Sequence, residues 1–159
     1  MVKNKNFLLK LIFLISFLAL IAAFFIEYIL GFQPCNLCLF ERIPYFFALI
    51  IILLNYKFHN YEKKLVFLLI VIFVISTILS LYHLGIEQDL IKESFVCDIK
   101  NSSNLITKEE ILKQLNQRNI SCKDVTFKIF GFSLTSYNIV VSLFLTYISL
   151  NIYLNNDKN

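Results

Sequence analysis

The chain has 159 residues, 58% of them hydrophobic and only 16% charged, with a formal net charge of +4. That composition, with a mean hydropathy of +0.70, excludes a soluble domain, and the length leaves room for a few spanning helices and one modest loop but no separate soluble enzyme domain. The lysines are scattered among apolar segments without a basic stripe, which excludes a nucleic-acid-binding surface.

The first predicted element runs from Phe7 to Leu30, an almost unbroken stretch of Leu, Ile, Phe and Ala. At about 1.5 Å per residue it exceeds the roughly 30 Å hydrocarbon core. It is longer than the apolar part of a signal peptide and lacks a small-x-small cleavage pattern, so it is expected to be a retained helix. Glu27 stands near its far end, where a carboxylate reaches water more cheaply than at mid-bilayer. The turn from Gly31 to Cys38 follows.

A second span is predicted from Leu39 or Ile43 to Tyr56. Its pure apolar run, Tyr45 to Leu54, is short and needs the turn holding Glu41, Arg42 and Pro44 to reach full length. Pro44 is tolerable there because first-turn amides have no intrahelical partner. A short loop carries Lys57, Lys63 and Lys64, with His59 read as solvated or headgroup-facing. The third span covers Leu65 to about Leu84 and the fourth Leu134 to Leu154, at about 65–84 and 134–154. The segment between them, 86–133, holds seven Lys/Arg and seven Asp/Glu, a balanced mixture that translocates without difficulty. Within it Thr107-Lys108-Glu109-Glu110 has the form of a capping box ahead of Ile111, Leu112 and Leu115, which predicts a short amphipathic helix.

The expected fold is therefore an all-α membrane protein, a four-transmembrane-helix bundle with a short amphipathic helix in its second outer loop. Lys3, Lys5 and Lys10 precede the first span, and the other lysine cluster lies between the second and third. The positive-inside rule places both in the cytoplasm, with both termini, and leaves loops 31–38 and 86–133 outside.

All four cysteines then fall on the outer side, which is oxidising in a bacterium: Cys35 and Cys38 in the first loop, Cys97 and Cys122 in the second. Two structural staples are one reading. A Cys-x-x-Cys ring closes so few residues that little unfolded-state entropy is removed, and the spacing fits redox cycling better. Cys38 lies close to the amino end of the second helix, where unpaired amides, the dipole and Arg42 one turn on favour a thiolate. Arg42 also suits an interfacial anchor that snorkels to lipid phosphate. A four-thiolate zinc site from Cys35, Cys38, Cys97 and Cys122 is a further alternative, although such sites usually present two close pairs and 24 residues lie between Cys97 and Cys122.

Pro34-Cys35-Asn36-Leu37-Cys38-Leu39-Phe40-Glu41-Arg42 resembles the Pro-Cys-x-x-Cys-x-x-x-Arg signature of the DsbB family of quinone-dependent disulfide-forming proteins. Tyr82-His83-Leu84-Gly85-Ile86-Glu87, and Cys122 followed by Phe130-Gly131-Phe132-Ser133-Leu134, resemble that family as well. The resemblance implies an inner-membrane thiol oxidoreductase that reoxidises a periplasmic DsbA-like thioredoxin-fold partner and passes the electrons to a quinone, ubiquinone or menaquinone. It implies that Cys97 is attacked by the partner's thiolate, that Cys122 exchanges with Cys35, and that Cys38 contacts the quinone with Arg42 stabilising the developing charge. His83, at the outer end of the third span, is a candidate to donate a hydrogen bond to a quinone carbonyl or to manage its protons, the plainer reading being an interfacial or helix-capping histidine. Glu87 is read either as a proton-relay group or as a solvated loop carboxylate. The chain has no tryptophan, and Phe95, Phe127, Phe130 and Phe132 are candidates for the aromatic role around the second loop.

Overall fold

Unbroken apolar stretches of this length form helices because no other spanning structure satisfies its own backbone in lipid. A computed structural model of the chain describes residues 5–58, 61–92, 122, 128–129 and 131–156. Helix α1 spans Lys5–Tyr28, α2 Asn36–Lys57, α3 Glu62–Glu87 and α4 Leu134–Asn156. All four are long and apolar enough to cross a membrane. Ahead of α4, strand β1 (Lys128–Ile129) pairs antiparallel with β2 (Phe132–Ser133), Lys128 opposite Ser133 and Ile129 opposite Phe132. The amphipathic helix expected from the capping box, His59 and Cys97 lie outside the described residues.

The helix limits differ from the expected ones for identifiable reasons. The first helix stops at Tyr28 because Gly31, at φ +74°, turns the chain back so that Leu30 N–H reaches Phe25 O at 3.2 Å and Phe32 N–H reaches Ile26 O at 3.2 Å. The second begins at Asn36, three residues before Leu39, because Cys35 is its N-cap: φ −69°, ψ 167°, with Sγ accepting from the Cys38 N–H at 3.3 Å. The third runs on at its carboxyl end from Leu84 to Glu87, and closes with Asp89 at φ 60°. Leu90 and Ile91 N–H groups then fold back onto Gly85 O at 2.9 and 3.1 Å. Glycine at 85 lets the Ile91 side chain lie close against the helix, and a Cβ there, 2.7 Å from Ile91 Cδ1, would push that side chain aside.

Packing sets α3 most extensively against α4, with α2 between α1 and α3. The core joins Leu9 and Ile12 of α1, Ala48 and Ile52 of α2, Val66, Leu69 and Phe73 of α3, and Leu145 and Ile152 of α4. Phe17, Phe46, Phe47, Ile78, Leu81 and Val140 face outward, as lipid-facing side chains do. Between helices the contacts are small and polar: Ser16, Ser76, Ser80, Ser142 and Ser149 are fully buried. Small residues let backbones approach where lipid removes the hydrophobic drive for association.

A polar ladder crosses the bundle toward its cysteine-bearing end. Ser76 Oγ and Ser142 Oγ lie 3.0 Å apart, and Tyr45 Oη is 3.1 Å from Ser142 Oγ while donating to Asn138 Oδ1. Asn138 Nδ2 donates to Ser80 Oγ at 2.7 Å and to Glu41 Oε2 at 3.0 Å. Asn138 thereby joins α2, α3 and α4. Such interhelical bonds average only about 0.6 kcal/mol each, so their main consequence is register: they fix which face of α2 meets His83 of α3. At the opposite end Lys5 pairs with Glu62, tying α1 to α3.

Candidate active site

The N-cap geometry of α2 places both of its sulfurs at one end of the bundle. Cys35 Sγ and Cys38 Sγ are free thiols 2.8 Å apart. Closing a disulfide of about 2.05 Å requires a movement of under an ångström. Cys35 is buried, Cys38 half-buried. The hydrogen bonds of Cys35 with Cys38 and with His83 pull its thiol down to about 5, against the burial that pushes it up. Starting the helix at Asn36 rather than Leu39 therefore gives the capping amide to the first sulfur, whereas the sequence suggested the second.

His83 stands between that sulfur pair and two carboxylates. Its Nε2 is 3.5 Å from Cys35 Sγ and its Nδ1 is 2.9 Å from Glu41 Oε1. Thr135 Oγ1 of α4 lies 3.3 Å from Nδ1 and donates to Glu87 Oε1 at 2.5 Å. Glu87 Oε1 is 3.8 Å from Nε2. Glu41 is held on its other oxygen by Asn138, so the ring is oriented from α2 and α4 at once. His83 is 1% exposed, which makes every one of these contacts a substitute for water.

Arg42, one residue beyond Glu41, points toward α1. Its guanidinium pairs with Glu27 and lies 5.2 Å from the centre of the Phe24 ring. Glu27 and Arg42 thus clasp α1 to α2 at the same end of the bundle.

These groups surround one cavity of about 270 Å³. Ala19, Ala22, Ala23 and Ile26 of α1 form an apolar wall, and Cys35, Cys38, Glu41, Arg42, His83 and Glu87 supply the polar one. Small side chains on α1 leave the space, and the opposite wall offers donors, acceptors and two sulfurs. A ligand with a flat polar head and an apolar tail fits that division. Cys122 also lines the cavity, is 3% exposed, is disulfide-bonded, and packs with Cys35, Leu37 and Ile86.

The structure thus gathers Cys35, Cys38, Cys122, Arg42 and His83 around one space. Sequence reasoning missed Glu41, Thr135 and Asn138 as parts of the site. Their signal was spacing: Cys38, Glu41, Arg42 and Tyr45 share a face of α2, Ser76, Ser80, His83 and Glu87 a face of α3, and Thr135, Asn138 and Ser142 a face of α4. Polar residues at helical spacing inside apolar helices mark a buried polar site.

Compared with known proteins, residues 5–152 match the family model described as disulfide bond formation protein DsbB. An uncharacterized protein of Rickettsia prowazekii (strain Madrid E) is 32% identical over 146 residues, covering 89% of this chain and 84% of the relative. No solved structure matches.

Proposed function

The chain belongs to the DsbB family of disulfide bond formation proteins, and from that premise we propose that it is a protein-disulfide:quinone oxidoreductase of the bacterial inner membrane. In this reading it reoxidises a periplasmic DsbA-like thioredoxin-fold protein, with its termini cytoplasmic and its cysteines periplasmic. The observation that carries the reading is the joint placement of Cys35, Cys38, Cys122, Arg42 and His83 around one cavity with an apolar wall.

The exchange balances as two disulfide transfers and one two-electron reduction. A reduced partner attacks Cys97 of a Cys97–Cys122 disulfide, leaves as a disulfide, and converts Cys97 and Cys122 to thiols. Cys122 then attacks Cys35 of an oxidised Cys35–Cys38 pair. Their common burial supports that step, because the attacking sulfur needs a short, dry path. Displacement frees Cys38, and Cys97 resolves the Cys122–Cys35 bond. In the reduced pair Cys35 is the sulfur that the helix terminus and His83 favour as thiolate, the nucleophile that closes back onto Cys38 as the electron pair leaves.

A quinone bound in the cavity, ubiquinone or menaquinone, would take up two electrons and two protons. Arg42 and His83 would hold it: the arginine as a fixed positive charge at the rim, the histidine as a hydrogen-bond donor whose ring Glu41 keeps in place. The Ala19, Ala22 and Ala23 wall would receive the ring's apolar face and its tail.

Trapping the exchange tests this order. Offered a partner in its disulfide form, Cys97→Ala is expected to give no mixed disulfide, whereas in Cys122→Ala the Cys97 thiol opens the partner's disulfide and the mixed disulfide should accumulate, because the second sulfur no longer competes for Cys97. Non-reducing electrophoresis after acid quenching reads both. Equal trapping by the two variants would reverse or void the assignment.

A further inference from the structure

Two sulfurs and an imidazole converge at the end of α2 in an arrangement that disulfide exchange alone does not require. The ligand atoms of Cys35, Cys38 and His83 all lie within 4.8 Å of one another. His83 Nε2 faces Cys35 Sγ at 3.5 Å, while Nδ1 is bound to Glu41 Oε1 at 2.9 Å. A carboxylate on the far nitrogen is the usual support of a metal-ligating histidine, fixing the tautomer and turning the other nitrogen's lone pair outward. The Cys-x-x-Cys spacing at a helix start is likewise a common zinc half-site.

We propose that the reduced site binds a zinc ion through Cys35 Sγ, Cys38 Sγ and His83 Nε2, with Glu41 orienting the ring. Tetrahedral zinc with bonds of about 2.3 Å to sulfur and about 2.0 Å to nitrogen sets S···N near 3.5 Å and S···S near 3.8 Å. The first separation is already present between Cys35 and His83, and binding would have to move the half-buried Cys38 side chain so that the sulfurs open from 2.8 Å. The fourth position opens on the cavity and takes water, as in zinc sites with three protein ligands. This ligand set differs from the four-cysteine one considered from sequence, since histidine replaces the second pair.

Binding requires both sulfurs as thiolates and the His83 Nε2 lone pair free, and releases whatever protons these groups hold. The oxidised pair, its sulfurs bonded to each other, offers no such site. Zinc binding is therefore gated by the redox state of the same two cysteines. A consequence for turnover rests on the proposed function: zinc would hold the reduced form and stand between the sulfurs and the electron acceptor.

The experiment uses the full chain in detergent, reduced and freed of reductant without air, then dialysed against Zn²⁺ alone and analysed for metal. Co²⁺ substitution reports sulfur ligation by its thiolate charge-transfer absorption. One metal per reduced chain and none after oxidation of the Cys35–Cys38 pair is the expected result, obtained without any substitution. A Cys97→Ser/Cys122→Ser double variant should still bind one. Glu41→Gln should weaken affinity by about 10–100-fold, and His83→Gln by at least as much. Substoichiometric metal in reduced wild type, loss of binding in the double variant, or wild-type affinity in His83→Gln would each overturn the site. Quinone reduction in zinc-free buffer is read in parallel, so failure of the metal site and failure of the oxidoreductase reading give different results.

Discussion

His83→Gln is expected to slow quinone reduction by about 10²–10⁴-fold, the range lost when a positioned acid–base group is removed. The ring is 1% exposed and touches a sulfur on one side and a carboxylate on the other, so its removal takes a partner from both. Glu41→Gln leaves an oxygen to accept from Asn138 but removes the charge that holds the ring, and a loss of about 10–100-fold is expected. If Glu41 acts through His83, the double variant should be no slower than His83→Gln alone, since residues that work as a unit are not additive. Formation of the mixed disulfide with the partner should stay within a few-fold of wild type in all three. The measurements are single-turnover quinone reduction and mixed-disulfide formation at matched amounts of folded protein. A multiplicative double variant would make Glu41 an independent contributor.

Arg42→Ala is expected to lower quinone reduction by about 10²–10³-fold, the effect of deleting one preorganised electrostatic donor in a water-poor site. The structure adds a complication that the sequence did not suggest. Arg42 clasps Glu27 of α1, so its removal also takes away the partner of a partly buried carboxylate. Arg42→Ala should therefore lower the melting temperature in detergent, and adding Glu27→Gln should restore stability without restoring quinone reduction. Arg42→Lys keeps the ion pair but loses the planar fork, and should be stable yet impaired, chiefly in quinone KM. If the side chain is only a lipid anchor, lysine restores full kinetics.

The four helices were legible because lipid demands what sequence displays directly: runs of Leu, Ile, Phe and Val too long for anything but a span. Their ends were less so. Hydropathy stops at Leu84 and resumes at Leu39, but the caps lie beyond it, at Gln88 and at Cys35. Cap geometry depends on one residue's dihedrals and leaves no periodic trace. That one-turn error at α2 is what misdirected the helix-terminal amide to Cys38. The β1–β2 pair was not anticipated because strands of two residues show no alternation.

Of the site, Cys35, Cys38, Arg42 and His83 could be named from motif and position. Glu41 was read only as part of a helix start, and Asn138 and Thr135 not at all. Their importance arises from which face of α4 turns toward α3, a property of packing between segments 50 residues or more apart. The clasp between Glu27 and Arg42 was hidden for the same reason, because it joins two different helices whose relative rotation is set by packing.

The most direct test of the account is quinone reduction by the purified full-length chain in detergent, supplied with a reduced thioredoxin-fold partner. One quinol is expected for each partner disulfide formed. The yield should fall to the uncatalysed level in Cys38→Ser, in which the Cys35–Cys38 disulfide cannot form. Partner oxidation without quinol, or undiminished quinol from Cys38→Ser, would contradict the account.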